Sequence, residues 1–176
     1  MSTADTNTTP ETNVAHLADA AKTHMEMKAR RMIADYVDTI DDGILKDWPP
    51  YFMPDGIYRI TTRQNELAGM PLSIMLCDNH AMLYDRVEAI EHANIFEPHY
   101  YRHVLSDSRT LSATDTSINM VTSFTCVRTM LDGRMTLFAA GRYVDDIVLD
   151  EGQCRFRSRT VVLDSSRIDT LIAIPL

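Results

Sequence analysis

Apolar residues recur at helical spacing in the N-terminal part of the chain. Between Val14 and Ile40 they return every third or fourth position, while charged residues occupy the other faces. This pattern predicts one amphipathic helix or two joined helices. Asp41-Asp42-Gly43 marks the predicted end, with Gly43 as the C-terminal cap. A short turn over Ile44–Trp48 follows, and Pro49-Pro50 stops it.

The pattern then changes from strand to loop and back to helix. Residues 56–62, GIYRITT, are β-branched and aromatic and predict a strand. Arg63–Pro71 is predicted to be a loop, and Leu72–Cys77 a short strand. Asp78 or Asn79 is expected to cap a second helix. The apolar face of that helix consists of Met82, Leu83, Val87 and Ile90.

From Tyr101 onward the sequence predicts an antiparallel sheet. The predicted strands are Tyr101–Asp115, Ser117–Leu131, Met135–Leu149 and Cys154–Leu163. Residues 131–134, LDGR, and 150–153, DEGQ, are typical of hairpin turns. An apolar segment, Leu171–Leu176, ends the sequence.

Helices followed by a meandering sheet indicate an α+β fold. A sheet of long strands with one buried face must curl around another element of the fold. The N-terminal helices are the elements available for this. We therefore predict a cone-shaped, strongly curved antiparallel sheet wrapped over the N-terminal helices. With 176 residues the chain is expected to form one domain over residues 14–176. Residues 1–13 are predicted to be a disordered tail, because their polar side chains bury too little apolar surface.

Composition disfavours several functional classes. The net charge of −8 disfavours nucleic acid, which needs a basic face, and also an anionic membrane surface. No apolar run approaches the roughly 18 residues of a membrane span. The three cysteines are far apart and lack Cys-x-x-Cys or Cys/His spacing, so we expect neither a zinc site nor a disulfide framework. A reducing cytoplasm is the expected compartment.

Glu97, His99 and His103 carry the ligand types of a mononuclear non-haem iron site. Positions separated by an even number share one face of a strand, which favours convergence. Ligands along one strand nevertheless point in parallel, and Pro98 interrupts the strand. We therefore expect no metal here and interpret the histidines as interface or hydrogen-bonded structural residues.

Three arginines alternate along the last predicted strand. Arg155, Arg157 and Arg159 are expected to share one face, with Phe156 on the opposite, core face. Like charges in this arrangement need acidic partners. The partners expected on the preceding strand are Asp145, Asp146 and Asp150. Two interpretations stay open: an exposed face with ion pairs, or a charged docking surface for another chain.

A cone-shaped half-barrel also suits a small isomerase or dehydratase, in which a pocket Asp or His transfers a proton and a Tyr assists. The candidates for such a site are Asp55, Tyr58, His103 and Tyr143. Their spacing is not specific for this chemistry. A stand-alone enzyme with this cone-shaped fold therefore remains one alternative function. A dimeric binding module with an empty cone remains another.

An ordered series of segments resembles the small (β) subunit of aromatic-ring-hydroxylating dioxygenases, the Rieske non-haem iron oxygenases. The series comprises WPPYF at 48–52 with Asp55 and Tyr58, Asn65 with Gly69, MLYDRV at 82–87, YRH at 101–103, and the ending from Asp164-Ser165 through DTLIAIPL at 169–176. The similarity runs from about Arg30 to Leu176, whereas residues before about Thr23 match nothing. It is greatest for the branch acting on terephthalate, anthranilate, salicylate and halobenzoate, with ANIFEPHYYRH and DTLIAIPL most like terephthalate systems.

The resemblance implies a fold like that of nuclear transport factor 2 and scytalone dehydratase. It also implies that this chain carries no catalytic, cofactor or metal residues. The Rieske [2Fe-2S] cluster and the mononuclear iron would belong to a large α subunit supplied with electrons from NAD(P)H through a reductase. An α3β3 assembly on a β trimer is implied, with an aromatic carboxylic acid, terephthalate above all, as substrate. The expected interface residues are Arg86, His99, Tyr101, Arg102, His103, Arg155, Arg157 and Arg159.

Overall fold

One long helix forms the inner layer of the fold. The computed structural model describes residues 10–92, 96–167 and 172–176, and for residues 10–18 it describes the backbone alone. Helix α1 spans Pro10–Asp41. It begins inside the predicted tail because proline fits the first turn of a helix, where its missing N–H is not needed. The remainder of the predicted tail lies outside the described residues.

The end of α1 agrees with the sequence. The N–H of Gly43 donates to the carbonyl of Ile40 at 3.0 Å, and that of Ile44 to the carbonyl of Thr39 at 3.0 Å. Gly43 has a φ of +72°, so the prediction of Gly43 as C-terminal cap is confirmed.

In the described part of the chain, seven strands form one sheet around this helix. The strands are β1 (Phe52–Thr62), β2 (Met75–Cys77), β3 (His99–Leu105), β4 (Arg109–Ala113), β5 (Ser117–Met130), β6 (Met135–Asp150) and β7 (Gln153–Leu163). Helices α2 (Arg63–Leu67) and α3 (His80–His92) and 3₁₀ turns at Leu45–Asp47 and Pro49–Tyr51 complete these elements. The strand order is β2-β1-β7-β6-β5-β3, and β4 also pairs with β5.

The pairing is antiparallel from β3 to β7, as predicted. The exception in the sheet is the β1–β7 pair, which is parallel. Helix α1 contacts β3, β4, β5 and β7. One helix of about 10 Å diameter reaches strands several positions apart only if the sheet curves around it. The predicted α+β architecture of a curved sheet over the N-terminal helix is therefore confirmed.

Local hydrogen bonds explain two departures from the predicted elements. The predicted loop after β1 begins with α2, because the hydroxyl of Thr62 accepts the N–H of Asn65 at 3.2 Å and starts a helical turn. The predicted strand from Tyr101 to Asp115 is split into β3 and β4. Here the hydroxyl of Ser106 accepts a hydrogen bond from the N–H of Ser123 at 3.0 Å. This side-chain bond competes with the backbone hydrogen bonds between the strands.

Other caps and turns form where predicted. The side chain of Asn79 accepts the N–H of Met82 at 3.0 Å and caps α3. At the β6–β7 turn, Glu151 and Gly152 have φ values of +46° and +85°. A two-residue turn of this hand needs two left-handed residues, which explains the glycine.

A β-bulge in β7 changes which side chains face the core. Asp146 pairs with Ser158 and Ile147 with Phe156, so Arg157 is an extra residue without a cross-strand partner. The alternation of core-facing and outward-facing side chains along β7 therefore shifts by one position at the bulge. As a result, Phe156 and Arg159 are both buried. The prediction that three arginines share one face is wrong for Arg159, whereas Phe156 lies in the core as predicted.

Replacing Phe156 by alanine tests this phase shift. We expect a loss of about 3–5 kcal/mol in the free energy of unfolding, because a fully buried aromatic ring is removed. The neighbouring Arg157→Ala variant is the matched control and should change stability by about 1 kcal/mol or less, since its ion pair is exposed. Urea unfolding of both variants measures the difference. Equal losses would contradict the placement of the bulge.

Candidate functional site: a filled interior and a charged outer face

The concave side of the sheet is filled by aromatic rings and by residues 172–176. The hydroxyls of Tyr36 and Tyr58 each donate to the backbone oxygen of Leu176 at 3.2 Å. The N–H of Leu176 donates back to the Tyr58 hydroxyl at 2.9 Å. The indole of Trp48 donates to the Tyr36 hydroxyl at 3.0 Å. Both phenols are therefore engaged in holding this segment.

Arg86 on α3 fixes the start of the same segment. Its guanidinium donates to the backbone oxygen of Ile172 at 2.8 Å and to that of Ala173. Ile172 and Ala173 are buried, as is Leu176. The half-buried Arg86 side chain therefore makes an internal contact.

A buried ion pair lies between α1 and the sheet. The guanidinium of Arg159 makes two hydrogen bonds of 2.8 Å to the carboxylate of Asp145, and both side chains are fully buried. The rings of Tyr36, Tyr143 and Phe156 each lie 4.1 Å from the guanidinium carbon. Burial opposes the charge of Arg159, but Asp145 raises the pKa of the guanidinium above its ordinary value. The cation is thus held inside the core by one carboxylate and three aromatic faces.

A second buried contact joins the end of α1 to β3. The carboxylate of Asp41 forms a hydrogen bond with the ring Nδ1 of His103 at 2.7 Å. It accepts a second hydrogen bond from the backbone N–H of His103 at 2.8 Å. The exposed Arg102 places a guanidinium nitrogen 3.7 Å from the same carboxylate. Asp41 therefore connects helix and strand through two hydrogen bonds to His103 and an ion pair with Arg102.

The Glu97, His99 and His103 set does not converge. The Nδ1 of His99 bonds the backbone oxygen of Glu97 at 2.7 Å, and His103 bonds Asp41. The Nε2 atoms of both histidines are buried without a partner among the described residues. The ring of Tyr101 stands between the imidazoles, with centroids 4.8 Å from His99 and 6.1 Å from His103. Two imidazoles separated by a phenol ring cannot share one ion at normal ligand distances.

Of the proposed isomerase residues, Asp55 lies apart from the other three, which are buried. Asp55 is exposed on β1, whereas Tyr58 is buried against Leu176. Tyr143 stacks on Phe124 at 4.5 Å beneath Arg159. Burial raises the pKa of Tyr58 and Tyr143 well above the ordinary value, so both phenols stay protonated near neutral pH.

The large open groove of about 580 Å³ lies elsewhere, between α1 and the β6–β7 turn. Its lining includes Met27, Lys28, Met32, Tyr51 and Cys154 and none of the four proposed isomerase residues. This groove is therefore separate from the predicted proton-transfer set.

The predicted interface residues fall into three groups. Exposed are Arg102 and Arg157; half-buried are Arg86, His99 and Arg155; buried are Tyr101, His103 and Arg159. The side chains of Tyr101, His103 and Arg159 pack inside this chain, and their docking role stays a prediction. The predicted acidic partners are present: Arg155 lies 3.5 Å from Asp150, Arg157 3.0 Å from Asp146 and Arg159 2.8 Å from Asp145.

Two functional contacts were missed in the sequence. Asp41 was interpreted only as a helix end, although an acidic residue at a helix C-terminus is disfavoured by the dipole and so hints at another use. The partnership of Tyr36 with Leu176 joins residues 140 positions apart. No local pattern signals such a contact.

Comparison with known proteins identifies relatives over most of the chain. The family model described as "Ring hydroxylating beta subunit" matches residues 36–170. A terephthalate 1,2-dioxygenase terminal oxygenase subunit, beta 1, from Comamonas sp. is 36% identical over 151 residues, covering 86% of this chain and 98% of the relative. The anthranilate 1,2-dioxygenase small subunit from Burkholderia cepacia is 35% identical over 141 residues, covering 80% of this chain and 88% of the relative.

Solved structures agree with the fold. A crystal structure assigned as the beta subunit of an aromatic-ring-hydroxylating dioxygenase from Novosphingobium aromaticivorans has a TM-score of 0.80 and 32% identity, covering 88% of this chain and 98% of that one. A structure assigned as a scytalone dehydratase from the same organism has a TM-score of 0.67 at 15% identity, covering 89% and 95%. The second likeness shows the fold alone and confirms the predicted cone-like architecture. Among the described helices, none is long and apolar enough to cross a membrane.

The buried ion pair can be tested by removing one partner. Arg159→Met leaves the carboxylate of Asp145 buried without its cation, and we expect a loss of about 3–5 kcal/mol in the free energy of unfolding. Adding Asp145→Leu should recover most of that loss. Arg157→Met, which removes an exposed pair, is the control and should cost about 1 kcal/mol or less. Similar values for Arg159→Met and Arg157→Met in denaturant titrations would contradict the burial of this pair.

Alkaline unfolding provides a test of the filled interior. Burial raises the pKa of Tyr36, Tyr58 and Tyr143, so the stability that depends on their protonated state is complete below about pH 10 and is lost as the pH rises further. We expect a cooperative rise of tyrosinate absorbance together with loss of tertiary structure. The step should remain in a Tyr84→Phe/Tyr100→Phe variant, since both of those side chains are exposed. Gradual ionisation without unfolding would show that the interior is open to water.

Proposed function

The chain belongs to the ring hydroxylating beta subunit family, and from this premise we propose that it is the structural small subunit of an oxygenase acting on an aromatic carboxylic acid. Its sequence aligns with relatives of both terephthalate and anthranilate systems over nearly their full length. The observation that carries the proposal from the structure is the filled interior. The place where a cone-fold enzyme would bind a substrate is taken by Tyr36, Tyr58 and Leu176.

The partner is a catalytic large subunit, and the assembly is α3β3 on a trimer of this chain. The Rieske [2Fe-2S] cluster and the mononuclear iron reside in the large subunit, which receives electrons from NAD(P)H through a reductase. His99 and His103 do not share one ligand site, since the ring of Tyr101 lies between them. The reducing cytoplasm suits the free thiols of Cys77, Cys126 and Cys154.

The substrate is proposed to be terephthalate, with anthranilate, salicylate and halobenzoates as alternatives. The closing segment, DTLIAIPL, and residues 93–103 motivate this order. The small subunit contributes to the oxygenase by keeping the large subunits in register. The candidates for contacts with neighbouring chains are Arg86, His99, Tyr101, Arg102, His103, Arg155, Arg157 and Arg159. Of these, Arg86, His99, Arg102, Arg155 and Arg157 are at least partly exposed.

Co-expression with a large subunit tests the role. We expect the isolated chain to be colourless and inactive, and the co-purified assembly to be red-brown with a mass near α3β3. Mass measurement, iron analysis and the absorption spectrum provide the readouts. Stoichiometric iron on the isolated chain, or turnover by it alone, would overturn the proposal.

The substrate assignment has a separate test. The assembled oxygenase, supplied with its reductase and NAD(P)H, is offered terephthalate, anthranilate, salicylate and a halobenzoate in parallel. Oxygen uptake coupled to product formation should be fastest with terephthalate. Faster coupled turnover of another acid would replace the substrate while leaving the subunit role intact.

A further inference from the structure

The interior of the cone contains polar groups that a purely hydrophobic core does not need. The side chains of Tyr36 and Tyr58 are fully buried with their hydroxyls, and the half-buried guanidinium of Arg86 approaches from α3. A buried hydroxyl costs free energy unless it has a hydrogen-bond partner. The three groups share one partner, the segment formed by residues 172–176. We call this segment the strap.

Side chains hold the backbone of the strap. Residues 172–176 lie outside the described helices and strands. Arg86 binds the two backbone oxygens at the start of the strap, and the two tyrosine hydroxyls bind the backbone oxygen of Leu176. These donors come from three different elements, α1, β1 and α3. Strand pairing in the described sheet uses none of the residues of the strap, so displacement of the strap breaks no strand pair.

Tyr58 recognises the main chain of the strap. Its hydroxyl donates to the backbone oxygen of Leu176 at 3.2 Å and accepts the N–H of the same residue at 2.9 Å. A hydroxyl can donate one hydrogen bond and accept others, so both roles are used on a single ligand residue. This pair of hydrogen bonds suits a ligand with a donor and an acceptor close together, which every non-proline residue of a peptide provides.

The side chains of the strap define the chemical class of ligand. Ile172, Ala173, Pro175 and Leu176 are buried, and Ile174 is half-buried. In binding sites of this kind, burial of apolar side chains supplies most of the affinity, while a few placed polar groups fix the orientation. The interior is therefore shaped for a short apolar peptide.

The walls of this site are held by contacts of their own. Trp48 donates its indole N–H to the hydroxyl of Tyr36 at 3.0 Å, and its ring lies edge-on to Tyr58 with a centroid distance of 5.1 Å. Tyr36 packs edge-on against Phe156 at 5.3 Å. Edge-to-face aromatic pairs contribute stability beyond their burial. None of these contacts uses an atom of the strap, so its displacement removes none of them directly.

We propose that the interior of the cone is a peptide-binding site, occupied in the intact chain by its own strap, and that this site accepts a separate apolar peptide of the same sequence when the strap is displaced. The strap is thus an exchangeable ligand and not a fixed part of the sheet. The inference goes beyond the proposed function, and its test uses this chain alone.

Displacement is tested in the full chain with Leu176→Glu. A carboxylate in place of a fully buried leucine side chain should expel the strap, because an unpaired buried charge is costly. The single tryptophan, Trp48, is fully buried beside the site and reports its occupancy. Leu67→Glu, at an exposed position of α2, is the matched control. We expect red-shifted tryptophan emission and faster quenching by acrylamide in Leu176→Glu, and wild-type behaviour in the control.

Addition of a peptide tests the binding site itself. The probe is the pentapeptide IAIPL, which has the sequence of residues 172–176, with its N-terminus acetylated. The control peptide ends in glutamate. In Leu176→Glu, IAIPL should restore the wild-type emission of Trp48 in a saturable manner, and the control peptide should not. The proposal is overturned if Leu176→Glu keeps the wild-type emission, or if IAIPL does not restore it, whether circular dichroism shows that variant to be folded or unfolded.

The hydroxyl of Tyr58 provides a second measurement. In the Leu176→Glu chain, Tyr58→Phe should weaken IAIPL binding about tenfold in calorimetric titrations, because two hydrogen bonds to the ligand are lost while the ring remains. Tyr51→Phe in the same chain is the matched control, since the hydroxyl of Tyr51 lies 2.9 Å from that of Thr39 and removing it should leave the affinity unchanged. Equal affinities in the two double variants would overturn the proposed site.

Discussion

The guanidinium of Arg159 determines how the helix and the sheet fit together. A charge in the core is tolerated because Asp145 neutralises it through two hydrogen bonds and three aromatic rings surround it. One ring, Tyr36, belongs to α1, while the carboxylate belongs to β6. The bulge at Arg157 turns the guanidinium inward, so the β6–β7 register and the position of α1 depend on one another.

The same tyrosine continues this network into the interior. Tyr36 contacts Arg159 with its ring and binds Leu176 with its hydroxyl, and Tyr58 binds the same residue from β1. The chain therefore fills its own cone with an ion pair, aromatic rings and a hydrogen-bonded segment.

The outer face of the sheet carries both charged and apolar side chains. Exposed ion pairs such as Arg157 with Asp146 lie on the middle strands, whereas exposed apolar side chains lie at both edges of the sheet and also on α1 and α3. An exposed ion pair contributes little to stability but keeps a surface soluble, while an exposed apolar edge gains by being covered.

The sequence alone predicted α1 and its Gly43 cap, a cap of α3 at Asp78 or Asn79, and both hairpin turns. It also predicted that aspartates on the preceding strand pair with the arginines of β7. These contacts involve neighbouring residues or adjacent strands, which is why a local pattern can predict them. The ordered segments also indicated the family. Only the tertiary structure decided that Arg159 faces inward, that β1 pairs in parallel with β7, and that Asp41 binds His103. Those outcomes depend on a one-residue bulge and on contacts between distant parts of the chain. A local sequence pattern cannot predict either, because the same alternation of residues allows a side chain to face the core or the solvent until the strand register is set.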